Sequence, residues 1–338
     1  MLRSSGLSLL SLACLVAVSS CGSNSGSSSV DGSGTNGAAA AANATGGPDL
    51  IVGAAGGAGG STNAGTAGSA ADGQVCGTTC PAGQPACSLE TCDGIDNNCD
   101  GIIDNVDKNQ DGICDCILIA TLGVKGTWGQ GDVFAAWLDT RSNNGATALA
   151  DQTLTPELLA KYEVIVAEDV HRNHPYSPAE VQALQAWVAN GGGFMTLIGY
   201  ATPGEAANVN RLLQPFGMSY GNAQILPKTT NSTVPITRWV PHPIDLGVTA
   251  VGVDNGYAVQ GSGTMIAMGG GYNVGNAQEV SKGHVFMWGD EWITYNSEWT
   301  LHPDYQVQLF WLNAIKWLTV QGKCQVPIPP SLGGPVVK

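Results

Sequence analysis

The 338 residues carry 27 acidic and 13 basic side chains, a formal net charge of −14 at pH 7, with charged residues at only 12%. So negative a balance cannot neutralise a row of phosphates, which excludes nucleic acid as a partner. Length suggests two domains, but part of the chain has a composition that cannot be globular.

In chain order, the first element is an export signal. Arg3 precedes a largely apolar run from Leu7 to Val18, followed by Ser19, Ser20 and Cys21. That run is 12 residues long, too short to cross a hydrocarbon core of ~30 Å. The ending Val18-Ser19-Ser20-Cys21 resembles the bacterial lipoprotein signal. The resemblance implies removal of residues 1–20, acylation of Cys21 and attachment to a membrane through lipid. Gly22 rather than Asp follows, which in such lipoproteins implies the outer membrane. The alternative is ordinary cleavage near Ser20 that leaves Cys21 a thiol.

Residues 21–75 read as a tether. From Gly22 to Val75, 44 of 54 residues are Gly, Ala, Ser, Thr or Asn, with no aromatic and no Lys or Arg. Such a segment buries too little apolar area to offset backbone ordering at ~1–2 kcal/mol per residue. As a flexible coil it spans roughly 40 Å.

Residues 76–116 form a cysteine-rich module. With Cys14 lost and Cys21 lipidated, Cys76, Cys80, Cys87, Cys92, Cys99, Cys114, Cys116 and Cys324 remain. An even number in an exported chain predicts disulfides that staple a segment too poor in large apolar residues to build a core. Zinc is the rival reading of Cys76-x₃-Cys80, but no histidine lies nearby.

Within this module two nine-residue segments repeat. Asp96-Asn97-Asn98-Cys99-Asp100-Gly101-Ile102-Ile103-Asp104 is followed by Asp107-Lys108-Asn109-Gln110-Asp111-Gly112-Ile113-Cys114-Asp115, and both fit D-x-N-x-D-G-I-x-D. Oxygens at loop positions 1, 3 and 5, a glycine at 6, a carbonyl at 7 and an oxygen at 9 converge on a hard cation. The predicted ligands are Asp96, Asn98, Asp100, Ile102 and Asp104, then Asp107, Asn109, Asp111, Ile113 and Asp115. Asp107 also stands at position 12 of the first loop, whereas position 12 of the second is Leu118. Residues 90–115 hold eight acidic side chains and one lysine, a density that repels itself unless a cation such as Ca²⁺ neutralises it. The stretch from Cys87 to Asp104 is similar to the MopE-like metal-binding motif of secreted and surface proteins, and the second copy resembles a thrombospondin type 3 calcium repeat. The resemblance implies metal binding, with calcium suggested by the second copy, and it implies no reaction.

From residue 117 to 320 the pattern becomes α/β. Buried strands are predicted at Ile117–Leu122, Tyr162–Glu168, Phe194–Ile198, Met265–Met268 and His284–Trp288. Helices are predicted over Asp132–Thr140, from Ser177-Pro178-Ala179-Glu180 to Ala189, and over Asp304–Leu318. The alternation predicts a doubly wound, mostly parallel sheet, with residues 321–338 as a tail. The segments YEVIVAED, SPAEVQALQAWVANGGGFMTLIGY, SKGHVFMWGDEW and FWLNAIKWL resemble the class I glutamine amidotransferase-like superfamily, in its ThuA-like branch. In the amidotransferases the turn after the third of these strands carries a nucleophilic cysteine. Here it reads Gly199-Tyr200-Ala201-Thr202, and no cysteine lies between 117 and 323. The resemblance therefore implies a non-catalytic domain; Thr202 is a poor nucleophile without a base.

Open α/β sheets bind ligands beyond the carboxyl ends of their strands. Those ends supply Trp128, Glu168, Asp169, His171, Tyr200, Asp290, Glu291 and Trp292. Carboxylates beside aromatics suit saccharide binding or carboxylate-dependent hydrolysis of saccharide or cell-wall material. The simpler reading is that Asp290 and Glu291 cap the following segment and the tryptophans pack as core, in a purely structural envelope protein. The same topology places Cys116 and Cys324 at one sheet edge, predicting that they pair.

Overall fold

The computed structural model describes residues 89–92, 97, 98, 104–108, 110, 114–126, 130–199, 205–230 and 232–319, the side chain of Glu205 excepted. The signal, Cys21, the tether, Cys76, Cys80, Cys87, Cys99, Cys324, Trp128, Tyr200, Thr202 and the predicted ligands Asp96, Asp100, Ile102, Asn109, Asp111 and Ile113 lie outside them.

The elements follow in chain order as β1 (Ile119–Gly123), α1 (Asp132–Asp139), β2 (Thr147–Ala150), α2 (Pro156–Leu159), β3 (Val164–Glu168), α3 (Pro178–Ala189), β4 (Gly193–Leu197), α4 (Glu205–Leu213), β5 (Met218–Gln224), β6 (Val234–Ile236), β7 (Arg238–Trp239), β8 (Val251–Val253), β9 (Tyr257–Gly261), β10 (Thr264–Gly269), β11 (Tyr272–Val280), β12 (Gly283–Trp288), α5 (Asn296–Leu301) and α6 (Val307–Leu318). Eight strands make one mixed sheet in the order β2-β1-β3-β4-β12-β11-β10-β7. The pairings from β2 through β12 are parallel, and those from β12 to β7 are antiparallel. Two antiparallel ribbons, β5–β9 and β6–β8, form separate ladders that pack into the same cores as the sheet. The protein is thus a mixed α/β fold around a large, mostly parallel sheet.

Period-2 alternation splits the central strands between two cores. Val164, Val166, Met195, Phe286 and Trp288 join one cluster with Phe134 of α1 and Phe310, Trp311 and Ile315 of α6. Ile165, Ala167, Phe194, Val285 and Met287 join the other with Leu184 and Val188 of α3 and Val209 and Leu212 of α4. Full burial on both faces is why these strands read as unbroken apolar runs. Among the described residues no helix is long and apolar enough to cross a membrane.

Helix α3 starts as its sequence dictates. Ser177 Oγ accepts the Glu180 N–H, Glu180 returns a carboxylate to the Ser177 N–H, and Pro178 takes the first helical position. Helix α6 starts later than predicted, at Val307. Residues 302–306 are drawn into a turn instead: the Tyr305 N–H donates to the His302 carbonyl, and the Gln306 side chain accepts the N–H groups of Thr249 and Ala250.

The predicted Cys116–Cys324 bridge is overturned: Cys116 pairs with Cys92, their Cα atoms 5.2 Å apart. The physical reason lies in Glu90. Its carboxylate, 4% exposed, accepts the N–H groups of Asn98 and Asp104, both at 2.9 Å, and so gathers segment 89–92 against the loops that follow. Cys114 is disulfide-bonded as well.

Candidate functional site

The parallel strands β1, β3, β4 and β12 end at one edge, and the residues just beyond them build an acidic cluster. Glu168 closes β3. Its Oε2 accepts the Gly126 N–H (3.2 Å) from the turn after β1, and its Oε1 lies 2.6 Å from the Thr294 hydroxyl, which follows β12. Thr294 Oγ1 is also 2.9 Å from the Glu291 carbonyl oxygen. The Thr294 hydroxyl is the donor toward both, its single hydrogen divided between Glu168 Oε1 and the Glu291 carbonyl. Burial, reinforced by the charge on Glu291, holds the Glu168 carboxyl well above the usual range.

Asp290 is the organiser of the next turn. Its Oδ1 accepts the Glu291 N–H at 2.8 Å and its Oδ2 the Asp254 N–H at 2.6 Å. Burial pushes its pKa well up despite these bonds, with Glu291 and Asp254 adding repulsion. Glu291 presses on the turn after β4: a Cβ placed on Gly199 would fall 1.6 Å from its Oε2. Any larger residue there would have to displace the Glu291 carboxyl. Beneath them the Tyr220 hydroxyl ties the ends of β4 and β12, lying 2.8 Å from Thr196 Oγ1, 2.9 Å from the Thr196 carbonyl and 3.1 Å from that of Trp288.

Asp169 and His171 complete the turn after β3. Asp169 holds a left-handed φ of 57°, which a short polar residue tolerates. Its Oδ1 lies 2.5 Å from His171 Nδ1. Burial raises the pKa of Asp169 and lowers that of His171, each opposed by the other's charge. Trp292 stacks on Tyr295, with ring centroids 4.2 Å apart and 13° between planes.

The structure thus brings together Glu168, Asp169, His171, Asp290, Glu291 and Trp292. It does not make the carboxylates an open cleft, because Glu168, Asp290 and Glu291 are 1%, 2% and 1% exposed. Asp290 ties the Glu291 and Asp254 N–H groups together and does not cap the short turn Trp292–Thr294, whose N-cap Glu291 makes no side-chain cap bond. Thr294, Tyr295 and Gly126 escaped sequence reasoning; Thr294 meets Glu168 across 126 positions, and nothing local announces such a contact.

Of the predicted calcium ligands, Asn98, Asp104, Asp107 and Asp115 are described. Among the described residues no three carboxylate, His or Cys groups converge to hold a metal. Asp115 nonetheless fits a position-9 ligand. One oxygen, Oδ2, accepts the Lys108 N–H at 2.8 Å, while Oδ1 is buried with no hydrogen-bond partner. Burial raises its pKa, the Lys108 N–H lowers it, and Asp107 raises it again. A cation would relieve both burial and repulsion. Glu90, counted in the sequence only as charge, proves to be the backbone clamp of this region.

The chain matches no protein-family profile and no curated protein. Solved structures resemble it only loosely. Cytoplasmic protein STM1381 from Salmonella typhimurium LT2 is 15% identical, with 60% of this chain and 100% of that one covered at a TM-score of 0.48. Cytoplasmic protein STM3548 from Salmonella typhimurium is 12% identical, with coverage of 61% and 100% and a TM-score of 0.42. The exo-β-1,4-mannosidase Op5Man5 from Opitutaceae bacterium strain TAV5 is 14% identical, with coverage of 62% and 37% and a TM-score of 0.35. Likenesses at this level say nothing about ligand or activity.

Proposed function

We propose that the chain is a lipid-anchored bacterial envelope protein whose calcium-binding, disulfide-held segment presents a non-catalytic, amidotransferase-like α/β domain for binding a saccharide or other envelope ligand. The observation that carries the non-catalytic reading is the position of Glu291. Its carboxyl fills the space at Gly199, in the turn where the amidotransferases keep their nucleophile, and its neighbours Glu168 and Asp290 are sealed by internal hydrogen bonds. The cores on both faces of the sheet support the doubly wound arrangement. Ca²⁺ would be held by the two D-x-N-x-D-G-I-x-D loops, neutralising their carboxylates; the buried, unpartnered Oδ1 of Asp115 supports this. The anchor at Cys21 and an outer-membrane address rest on the signal alone.

The test is to incubate the purified ectodomain with peptidoglycan fragments and defined oligosaccharides, beside the variants Glu168→Gln, Asp290→Asn and Glu291→Gln. Binding without turnover, retained in all three variants, is the expected result. Turnover by the intact protein that disappears in a correctly folded amide variant overturns the reading in favour of a carboxylate-dependent hydrolase.

A further inference from the structure

At the edge of the sheet opposite the acidic cluster, where β3 and β4 begin, α2 and α3 enclose a groove of about 480 Å³. That size suits a small ligand. Pro156, Ala160, Ala183 and Ala186 give it apolar walls, and Tyr162 and Trp187 are its aromatic residues. The indole of Trp187 is fixed in two ways. Its ring lies over the backbone at Gly192, where a Cβ would come within 2.4 Å. Its single polar atom, Nε1, donates to the Tyr162 carbonyl at 3.1 Å.

Polar groups are few. The Thr319 hydroxyl donates to the Ile315 carbonyl at 2.9 Å, and Trp187 Nε1 is already engaged. The Asn190 amide, the Tyr162 hydroxyl and the Glu163 carboxylate remain. Glu163, half-buried, is the one charged residue among the described residues of the lining, and its Oε2 accepts the Leu118 N–H at 3.1 Å. Among the described residues no Lys, Arg or His forms an ion pair with it.

Such a lining selects its ligand. A saccharide needs a partner for each of several hydroxyls, and a primary ammonium needs three acceptors. The groove offers too few side-chain partners for either. A quaternary ammonium needs none: its methyl groups meet apolar walls, while its charge is drawn to a carboxylate and to aromatic rings.

We propose that the α2–α3 groove is a binding site for a small, free quaternary-ammonium solute, with Trp187 and Tyr162 as aromatic contacts and Glu163 as counter-ion. The site is separate from the acidic cluster and does not depend on the saccharide binding proposed above.

The probe is choline chloride, titrated by calorimetry at constant ionic strength into the full chain. Its uncharged analogue, in which carbon replaces the ammonium nitrogen, is titrated beside it. The expected result is saturable binding of choline and about tenfold weaker binding of the analogue. Glu163→Gln keeps an acceptor for the Leu118 N–H, and Ala160→Lys places a like charge at an exposed rim position. Each should weaken choline binding by about tenfold, with an unchanged melting temperature as the control for folding. Absence of saturable choline binding overturns the proposal. Equal binding of the uncharged analogue does so too, because charge is then not what the groove recognises. Undiminished choline binding in both folded variants also overturns it, because the cation then binds elsewhere.

Discussion

Glu298 shows how a single buried acid sets a pH dependence. It is fully buried, its Oε1 accepts the Gly252 N–H, and Oε2 lies 3.3 Å from the Thr233 hydroxyl. Burial outweighs these bonds and brings its pKa to about 7, from 4.5 in the unfolded chain. Between those values the folded state keeps a proton that the unfolded chain has released. Stability therefore falls as pH rises from about 4.5 to about 7, by roughly 3 kcal/mol, and then levels off. Glu298→Gln keeps the acceptor and removes the titration. Urea melts from pH 4.5 to 8 should show the slope reduced in this variant and its stability above that of the parent at pH 8. Glu168 and Asp290, also pushed upward by burial, act in the same direction. His174 behaves differently. Its Nε2 lies 2.8 Å from Glu180 and its Nδ1 2.6 Å from Asp151, and these bonds raise its pKa. That contribution is complete below 6.5 and disappears as pH climbs through the raised value.

Among the elements, α3 is the one whose boundaries the sequence states most openly. Burial pushes Glu180 up, but the Ser177 and Leu154 N–H groups and His174 outweigh it, leaving a pKa of about 2. The cap thus remains charged, and engaged, across ordinary pH. Ser177→Ala should lower stability by about 1 kcal/mol at pH 7, measurable as a shifted denaturation midpoint with unchanged slope. The central strands were legible for an equally plain reason. Val164–Glu168 and Gly193–Leu197 are buried on both faces and cannot alternate with polar residues. The antiparallel side was not. Tyr272–Val280 (YNVGNAQEV) mixes polar residues into both its exposed ends and its buried centre, where Asn276 is sealed by a bond from its amide to the Ser262 carbonyl. The two-residue β7 has no pattern to read. The acidic cluster divides the same way: strand ends located Glu168, Asp290 and Glu291 correctly, but exposure is a property of packing between distant segments. Nothing near Glu291 reveals that its carboxyl abuts Gly199.

For the whole molecule, charge is concentrated where apolar area is scarce. Half of the net −14 sits within residues 90–115, beside the clamp of Glu90 and the Cys92–Cys116 bond. If the acidic loops hold Ca²⁺, saturation should stabilise the protein by about 2.7 kcal/mol at a hundredfold excess over Kd. Differential scanning calorimetry with millimolar calcium, then with chelator, should show the transition rise and fall. An unchanged transition, together with no heat of binding, would remove calcium from the account.

Val106, Cys114 and Cys116 do not end in a linker; they enter the same core cluster as Ile119, Phe134 and Trp311. If the chain is anchored at Cys21 as proposed, tension from that side would enter β1 directly. That strand is flanked by parallel partners on both sides, β3 along its whole length and β2 along part of it. Pulled along its axis, such a ladder is loaded in shear, with its bonds sharing the force instead of peeling one by one. A domain loaded in this way would hold up to a sharp limit of force and yield as a unit.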